Sequence, residues 1–163
     1  MTAQSPSIVV RVARREDAEA VLALWERLYR EHRRGAPEMI GDLVPVTATV
    51  DHLLNAFRGG DRALLVAAEG DSILGVIQAT ITQATEHPLL QARHYAVIND
   101  LFVHPEARHR GVGEALLTAA EAWAEEKGVH EFEAEIYEFN QEAAAFYHEL
   151  GYEVVSRMVF KRA

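Results

Sequence analysis

The sequence predicts an α/β domain, a mixed sheet with helices on its faces. Three observations lead there. The apolar residues switch along the chain between the alternation of strands and the 3.6-residue repeat of helices. Two strand-like runs, 63–68 and 73–82, are joined by the tight-turn residues Gly70, Asp71 and Ser72, a hairpin signal. Two hairpin-like links and two strand–helix–strand links then mix antiparallel and crossover connections in one sheet.

Taken in order, residues 8–12 are short and β-branched and predict the first strand. From Asp17 the period changes: Val21, Leu24, Trp25 and Leu28 fall at i, i+3, i+4 and i+7, one face of a helix that fades near 32–35. Pro37, Gly41 and Pro45 make 36–46 a loop. Thr47 or Thr49 can cap a second helix whose inner face is Val50, Leu53, Leu54 and Phe57. After the hairpin, 83–93 is a polar excursion around Pro88 and 94–104 an alternating strand. A short connection, 105–110, leads into a helix over 111–127 with Val112, Leu116, Ala119 and Trp123 on one face and Gly128 placed to end it. Residues 130–137 read as a strand. Asn140 caps a helix to Leu150, with Gly151 just beyond, and 152–160 reads as a closing strand.

A chain of 163 residues fits one domain with a sizeable core. The formal net charge of −9 argues against a nucleic-acid surface, which needs clustered Lys and Arg, and mildly favours a cationic partner such as an amine. There is no cysteine, which excludes disulfides, Cys-ligated zinc and a thiol nucleophile. The eight histidines show no metal-binding spacing, so no metal is expected. The start has no long apolar run behind a basic flank, and no stretch approaches the roughly 20 apolar residues that span a bilayer. A cytoplasmic protein with no membrane partner is the expectation.

The chemistry-bearing segment is Arg108-His109-Arg110-Gly111-Val112-Gly113, set between a predicted strand and a predicted helix. The first turn of a helix leaves N–H groups without partners, and its dipole makes that end positive. Gly111 and Gly113 let a bulky anion approach the backbone, and Arg108 and Arg110 add charge beside it. Two glycines alone would be read as a turn and a close helix–sheet contact. The flanking arginines and the strand–helix context favour a diphosphate cradle. The segment is neither a P-loop, since no GxxxxGK[ST] occurs, nor a dinucleotide fingerprint, since the first glycine is missing.

The whole run 99–117 resembles the acetyl-CoA signature of the GNAT superfamily of N-acetyltransferases, with Arg108, Gly111 and Gly113 in the places of its Arg/Gln-x-x-Gly-x-Gly/Ala core. A second block, 140–152, resembles the family's C-terminal block. The resemblance implies a twisted, mostly antiparallel sheet with a splayed parallel strand pair that holds acetyl-CoA. It implies that the backbone of Leu101, Phe102 and Val103 meets the pantetheine arm. It implies that the stretch Arg108, His109, Arg110, Gly111, Val112, Gly113 and Glu114 holds the diphosphate, with Asn140 near the pantetheine and Tyr147 near the sulfur. The implied reaction is direct attack of an amine on the thioester carbonyl. The N–H of Val103 is the oxyanion donor and Tyr147 the acid for the departing thiolate.

Other readings stand beside this one. Ala143, Phe146, Tyr147 and Leu150 form a helical stripe, so Tyr147 also reads as core. Asn99 stands where relatives often have Glu, and an amide is no base. Asp100 is the adjacent carboxylate, but strand alternation sends it to the other face unless a bulge intervenes. It reads equally as catalytic and as a buried polar group. Glu135, Tyr137 and His94 on neighbouring strands could act through water, and His104, before Pro105, reads as a turn residue. The alternative function is a non-catalytic acyl-CoA-binding sensor of the same fold, with Asn99 as its best argument. The amine should enter beside the first two helices, where Glu26, Glu31, Glu38 and Asp42 read as a solvated face or as a site for a polycation. The stretch 148–161 resembles aminoglycoside 6′-N-acetyltransferases over a length too short to name a substrate. Protein N-termini, lysine side chains and metabolite amines stay open. Exposed sheet edges give a physical reason to expect a homodimer.

Overall fold

The computed structural model describes residues 7–41, 55, 57, 59–84, 89 and 91–162. Five strands form one sheet in chain order: β1 (Val9–Val12), β2 (Arg62–Glu69), β3 (Ser72–Gln83), β4 (His94–Val103) and β5 (Phe132–Ala134). The first three pairings are antiparallel, and β4 and β5 are parallel. Among the described residues three helices pack around it: α1 (Ala18–Gly35), α2 (Val112–Glu125), which forms the β4–β5 crossover, and α3 (Gln141–Glu149).

The alternation of the strands divides the core into two layers. Leu64, Val66, Val76 and Phe102 meet the buried stripe Ala18, Val21, Leu24 and Leu28 of α1. On the opposite face Leu65, Ala67, Ile77 and Ile98 meet Val112, Leu116, Leu117 and Ala120 of α2, with Tyr147 of α3 beside them. Burying each of the larger side chains contributes roughly 1.5–3 kcal/mol. The α2 stripe is rotated from the one expected. Leu117, Ala120 and Ala124 are buried, and the expected Ala119 and Trp123 stand at its rim.

A charge pair fixes the entry to α1. Asp17, 5 % exposed, accepts two hydrogen bonds from Arg11 of β1 (2.6 and 2.9 Å) and one from the backbone N–H of Arg14 (2.6 Å). The Arg11 guanidinium is the main reason the Asp17 carboxyl sits below its ordinary range.

Two expectations change against the structure, and a third lies mostly outside the described residues. The strand expected over 130–137 pairs only at Phe132–Ala134, because the chain leaves β4 beyond Ala134. The strand expected over 152–160 enters no ladder: the stretch after Tyr152 is exposed and without regular structure. The second helix lies outside the described residues in its Thr47 or Thr49 cap, Val50, Leu53 and Leu54; Phe57 is described and its ring packs 6.3 Å from that of Trp25.

Candidate active site

The site begins where two parallel strands part. β4 and β5 are paired from Ala96–Phe132 to Ile98–Ala134, and β4 then runs on to Val103 without β5, paired with β3. The N–H of His104 donates to Leu74 O on the β3 side (2.8 Å). Alternation along a strand therefore turns the N–H groups of Leu101 and Val103 to the other side, into the space that β5 has left.

A bulge decides which side chain enters that space. Gln78 pairs with Asp100 and Ala79 with Ile98, so Asn99 is an extra residue on β4. Ile98 packs under α2 and Phe102 under α1. Strict alternation would have put Asp100 with Ile98; the extra residue moves it to the α1 side. Asn99 is exposed, and its Oδ1 accepts from Thr80 Oγ1 (2.8 Å).

Asp100 now lines a cleft of about 70 Å³ together with Leu28 and His32 of α1, Glu135, Ile136 and Tyr137 beyond β5, and Asn140, Ala143 and Tyr147 of the last helix. Burial pushes the Asp100 carboxyl above the ordinary carboxylate range, and a hydrogen bond with Tyr29 opposes the rise. Tyr147 is 7 % exposed. Burial first, then the negative charge of Asp100, raises its hydroxyl well above a normal phenol, so it keeps its proton. Tyr147 is thus both a member of the α2-side core and a wall of the cleft. Burial lowers His32, which favours its neutral form. Its ring lies 5.3 Å from Tyr137, 6.0 Å from Phe139 and 6.5 Å from Tyr29, a cluster of rings of which His32 and Tyr137 line the cleft.

The cradle lies at the end of β4 and the start of α2. A 3-10 turn, Pro105–Ala107, capped by His104 Nδ1 accepting from the Glu106 N–H, leads into it. His109 and Gly111 both take positive φ, 59° and 76°, which curls the loop into a concavity of the kind that gathers N–H groups around an anion. The first hydrogen bond of α2 runs from the Ala115 N–H to Gly111 O (3.0 Å), so the N–H groups of Val112, Gly113 and Glu114 form its open first turn. The two glycines serve different ends. Gly111 is required by its φ, and a Cβ there would meet nothing within 4 Å; a Cβ on Gly113 would lie 3.3 Å from the Phe146 ring. Gly113 therefore answers to packing against α3.

The arginines are engaged by acids. Arg108 Nη2 lies 3.4 Å from Glu31 of α1 and Nη1 3.8 Å from Glu142 of α3, while its Nε donates to Val103 O (3.3 Å). Arg110 pairs with Glu69 at the end of β2 (2.5 Å). Glu26, expected on a face for a cationic substrate, pairs with Arg30 of its own helix. These contacts favour the solvated-face reading for Glu26 and Glu31; Asp42 lies outside the described residues. Asn140 caps α3, its Oδ1 accepting from the Ala143 N–H (3.0 Å).

Of the bases considered from sequence, Glu135 and Tyr137 line the cleft. His94 is paired with Gln83 at the far end of β4 and takes no part in it. Sequence reading missed Tyr29 and His32. Their signal was present: Trp25, Tyr29 and His32 fall at i, i+4 and i+7, a second stripe beside the core stripe of α1. Among the described residues no group of His, Cys, Asp and Glu could hold a metal ion, and no helix is long and apolar enough to cross a membrane.

With this geometry in hand, comparison with known proteins is specific. YhfO, an uncharacterized N-acetyltransferase of Bacillus subtilis, is 28 % identical over 144 residues, 88 % of this chain and 89 % of its own. A tetramutant of the BH1408 protein of Bacillus halodurans superposes with a TM-score of 0.85 at 23 % identity, covering 95 % of this chain and 99 % of its own. AAC(6′)-Iy, solved with the bisubstrate analog CoA-S-monomethyl-acetylneamine, gives 0.72 at 20 % identity over 96 % and 98 %. These two likenesses speak for the fold. The family model for the acetyltransferase (GNAT) family matches residues 22–152. The chain belongs to the GNAT family and is an acyltransferase by that membership.

Proposed function

We propose that this acyltransferase is an N-acetyltransferase that moves the acetyl group of acetyl-CoA to a primary amine by direct attack. The observation that carries the reading is the meeting of Asp100 and Tyr147, an acid–base pair of raised pKa, in the gap where β4 and β5 part.

The residues fit the donor. The open side of Leu101, Phe102 and Val103 can receive a pantetheine arm as an added strand would. The loop from Arg108 to Gly111 and the N–H groups of Val112, Gly113 and Glu114 suit a diphosphate. A diphosphate there competes with Glu31 and Glu142 for Arg108. That AAC(6′)-Iy was solved with CoA supports the same use of this fold. Acetyl-CoA supplies the activated acyl group, and the rest is the work of this chain.

Asp100, held by Tyr29, takes the proton of the incoming ammonium, directly or through one water, and its raised pKa brings it nearer neutral pH, where a base works best. The N–H of Val103 is placed to hold negative charge that develops on the acyl oxygen. Tyr147 keeps its proton, donates it to the leaving sulfur, and regains one from the acylated nitrogen, which sheds its second proton as the amide forms. Asn140 borders the arm, and the rings of His32 and Tyr137, backed by Tyr29 and Phe139, wall the acceptor side. Asn99 was the best argument for a non-catalytic acyl-CoA sensor. Its side chain is exposed, and Asp100 occupies the cleft instead, which weakens that reading.

The test follows thiol release from acetyl-CoA with a panel of amines: an aminoglycoside, a polyamine, a lysine peptide and an arylalkylamine. The chain has no cysteine, so a thiol reagent reads CoA alone. Amine-dependent release supports the proposal. Tight CoA binding with no release above background for any amine would favour the sensor.

A further inference from the structure

We infer, on the basis of the reaction proposed above, that its amine acceptor is a primary monoamine carrying one aromatic ring on a short linker, seated in a corner formed by His32, Tyr137 and Phe139, and that Gly35 is the residue that positions Phe139.

The corner is made by three rings from two parts of the chain. Tyr137 and Phe139, on the stretch between β5 and α3, lie near-parallel, with centroids 5.8 Å apart and 24° between their planes. His32 of α1 stands across both, at 55° to Tyr137 and 76° to Phe139. Leu28, His32 and Gly35 fall at i, i+4 and i+7, on one face of α1. Gly35 ends that face, and it is a glycine for reasons of space: its φ is not left-handed, but a Cβ there would overlap three atoms of the Phe139 ring. The ring therefore lies against bare backbone, and any side chain at this position moves it.

The chemistry of the corner selects the ligand. His32 and Tyr137 line the same cleft as Asp100. At about 70 Å³ the cleft admits an ammonium group and a short linker. Whatever the linker carries then meets rings at the mouth, where Phe139 is 41 % exposed. Rings that already pack on one another offer a face or an edge to one more ring, and ring faces attract an ammonium within reach. Burial favours the neutral form of His32, which does not repel that cation.

Charge disfavours a polycation. The half of α1 that bears His32 and Gly35 carries Arg27, Arg30, Arg33 and Arg34 against Glu26 and Glu31. Across the cleft, Glu135 is the one other carboxylate among the described lining residues. A single ammonium is satisfied by Asp100, whereas a second and a third would lie along a helix face of excess positive charge.

Calorimetric titration of the full chain, saturated with CoA, with 2-phenylethylamine, propylamine and spermidine reads this preference apart from turnover. Phenylethylamine is expected to bind about tenfold or more tightly than either of the others, the scale of one or two ring contacts. Phe139→Ala removes a half-exposed ring, so circular dichroism should be unchanged, and the preference should fall by about fivefold or more. Gly35→Ala keeps every ring but displaces one, and should lower the preference in the same direction. Spermidine binding more tightly than phenylethylamine, equal or absent binding of phenylethylamine and propylamine, or a preference that survives either variant intact would each overturn the inference. Thiol release from acetyl-CoA in the same samples tests the reaction separately: a ring preference in binding, with no release for any amine, would overturn the reaction and leave the aromatic site standing.

Discussion

Asp100 and Tyr147 reach one cleft from opposite faces of the sheet, Asp100 from the α1 side and Tyr147 from the α2 side, and they meet only because β4 and β5 separate. The charge of Asp100 helps hold the proton on Tyr147, as the proposed roles of base and acid require.

The raised pKa of Asp100 sets a pH dependence with a definite sign. In its proposed role as base Asp100 must be ionised, so kcat/KM is expected to fall on the acid side through a pKa above the usual carboxylate range. Asp100→Asn should remove that limb and lower the rate by about 10²–10⁴-fold. Stability should move the other way. A carboxyl whose folded pKa is raised contributes most below its unfolded pKa and loses that contribution as pH rises through the folded one. At pH 7 Asp100→Asn should therefore melt no lower than the wild type, and higher if Tyr29 keeps its hydrogen bond. Thermal melts at pH 5 and 7 beside rate profiles check both signs.

Asp17 gives the opposite sign. Its folded pKa is lowered by Arg11, so its contribution is present above the unfolded value of about 3.9 and is lost as pH falls through the folded one. Asp17→Asn is expected to cost about 1.5–3 kcal/mol at pH 7, the range for hydrogen bonds to charged groups. Urea titrations should show the gap between the two proteins narrowing below about pH 4.

The two glycines of the cradle should separate by mechanism. Gly111→Ala is expected to lose about 1–2 kcal/mol from its left-handed φ alone, and Gly111→Asn to recover most of it. Gly113→Ala puts a Cβ 3.3 Å from Phe146 and should cost about 1–3 kcal/mol if the ring cannot shift; if it shifts, the helical gain of alanine over glycine, about 0.5–1 kcal/mol, should outweigh the contact. Gly111→Glu adds a carboxylate where the diphosphate is proposed to sit and should lose CoA affinity well beyond Gly111→Asn. Calorimetric titration with CoA decides; equal affinities for these two variants would put the anion elsewhere.

Much of this was legible in the sequence for identifiable reasons. The α1 stripe, the hairpin at Gly70 and the cap at Asn140 follow from local periodicity and capping chemistry, and each lies where those rules put it. The orientation of Asp100 was not legible. It depends on Asn99 being a bulge residue, which the alternation of β4 does not mark. The partners of Arg108 were equally hidden, because Glu31 and Glu142 come from helices far apart in sequence. The strand expected over 152–160 from its valines is not formed, because a strand also needs a partner in the sheet, which local sequence does not show.

The proposed reaction turns on Tyr147 as the proton donor to the leaving sulfur, and single-turnover acetyl transfer by Tyr147→Phe tests it. The substitution keeps the ring against Phe146 and Tyr152, so melting temperature and acetyl-CoA affinity should barely change. With the best amine of the panel, the single-turnover rate should fall by about 10²-fold or more, even where slow product release masks part of the loss in steady-state kcat. A Tyr147→Phe protein that transfers acetyl at the wild-type single-turnover rate would contradict this mechanism and leave Tyr147 as a core residue alone.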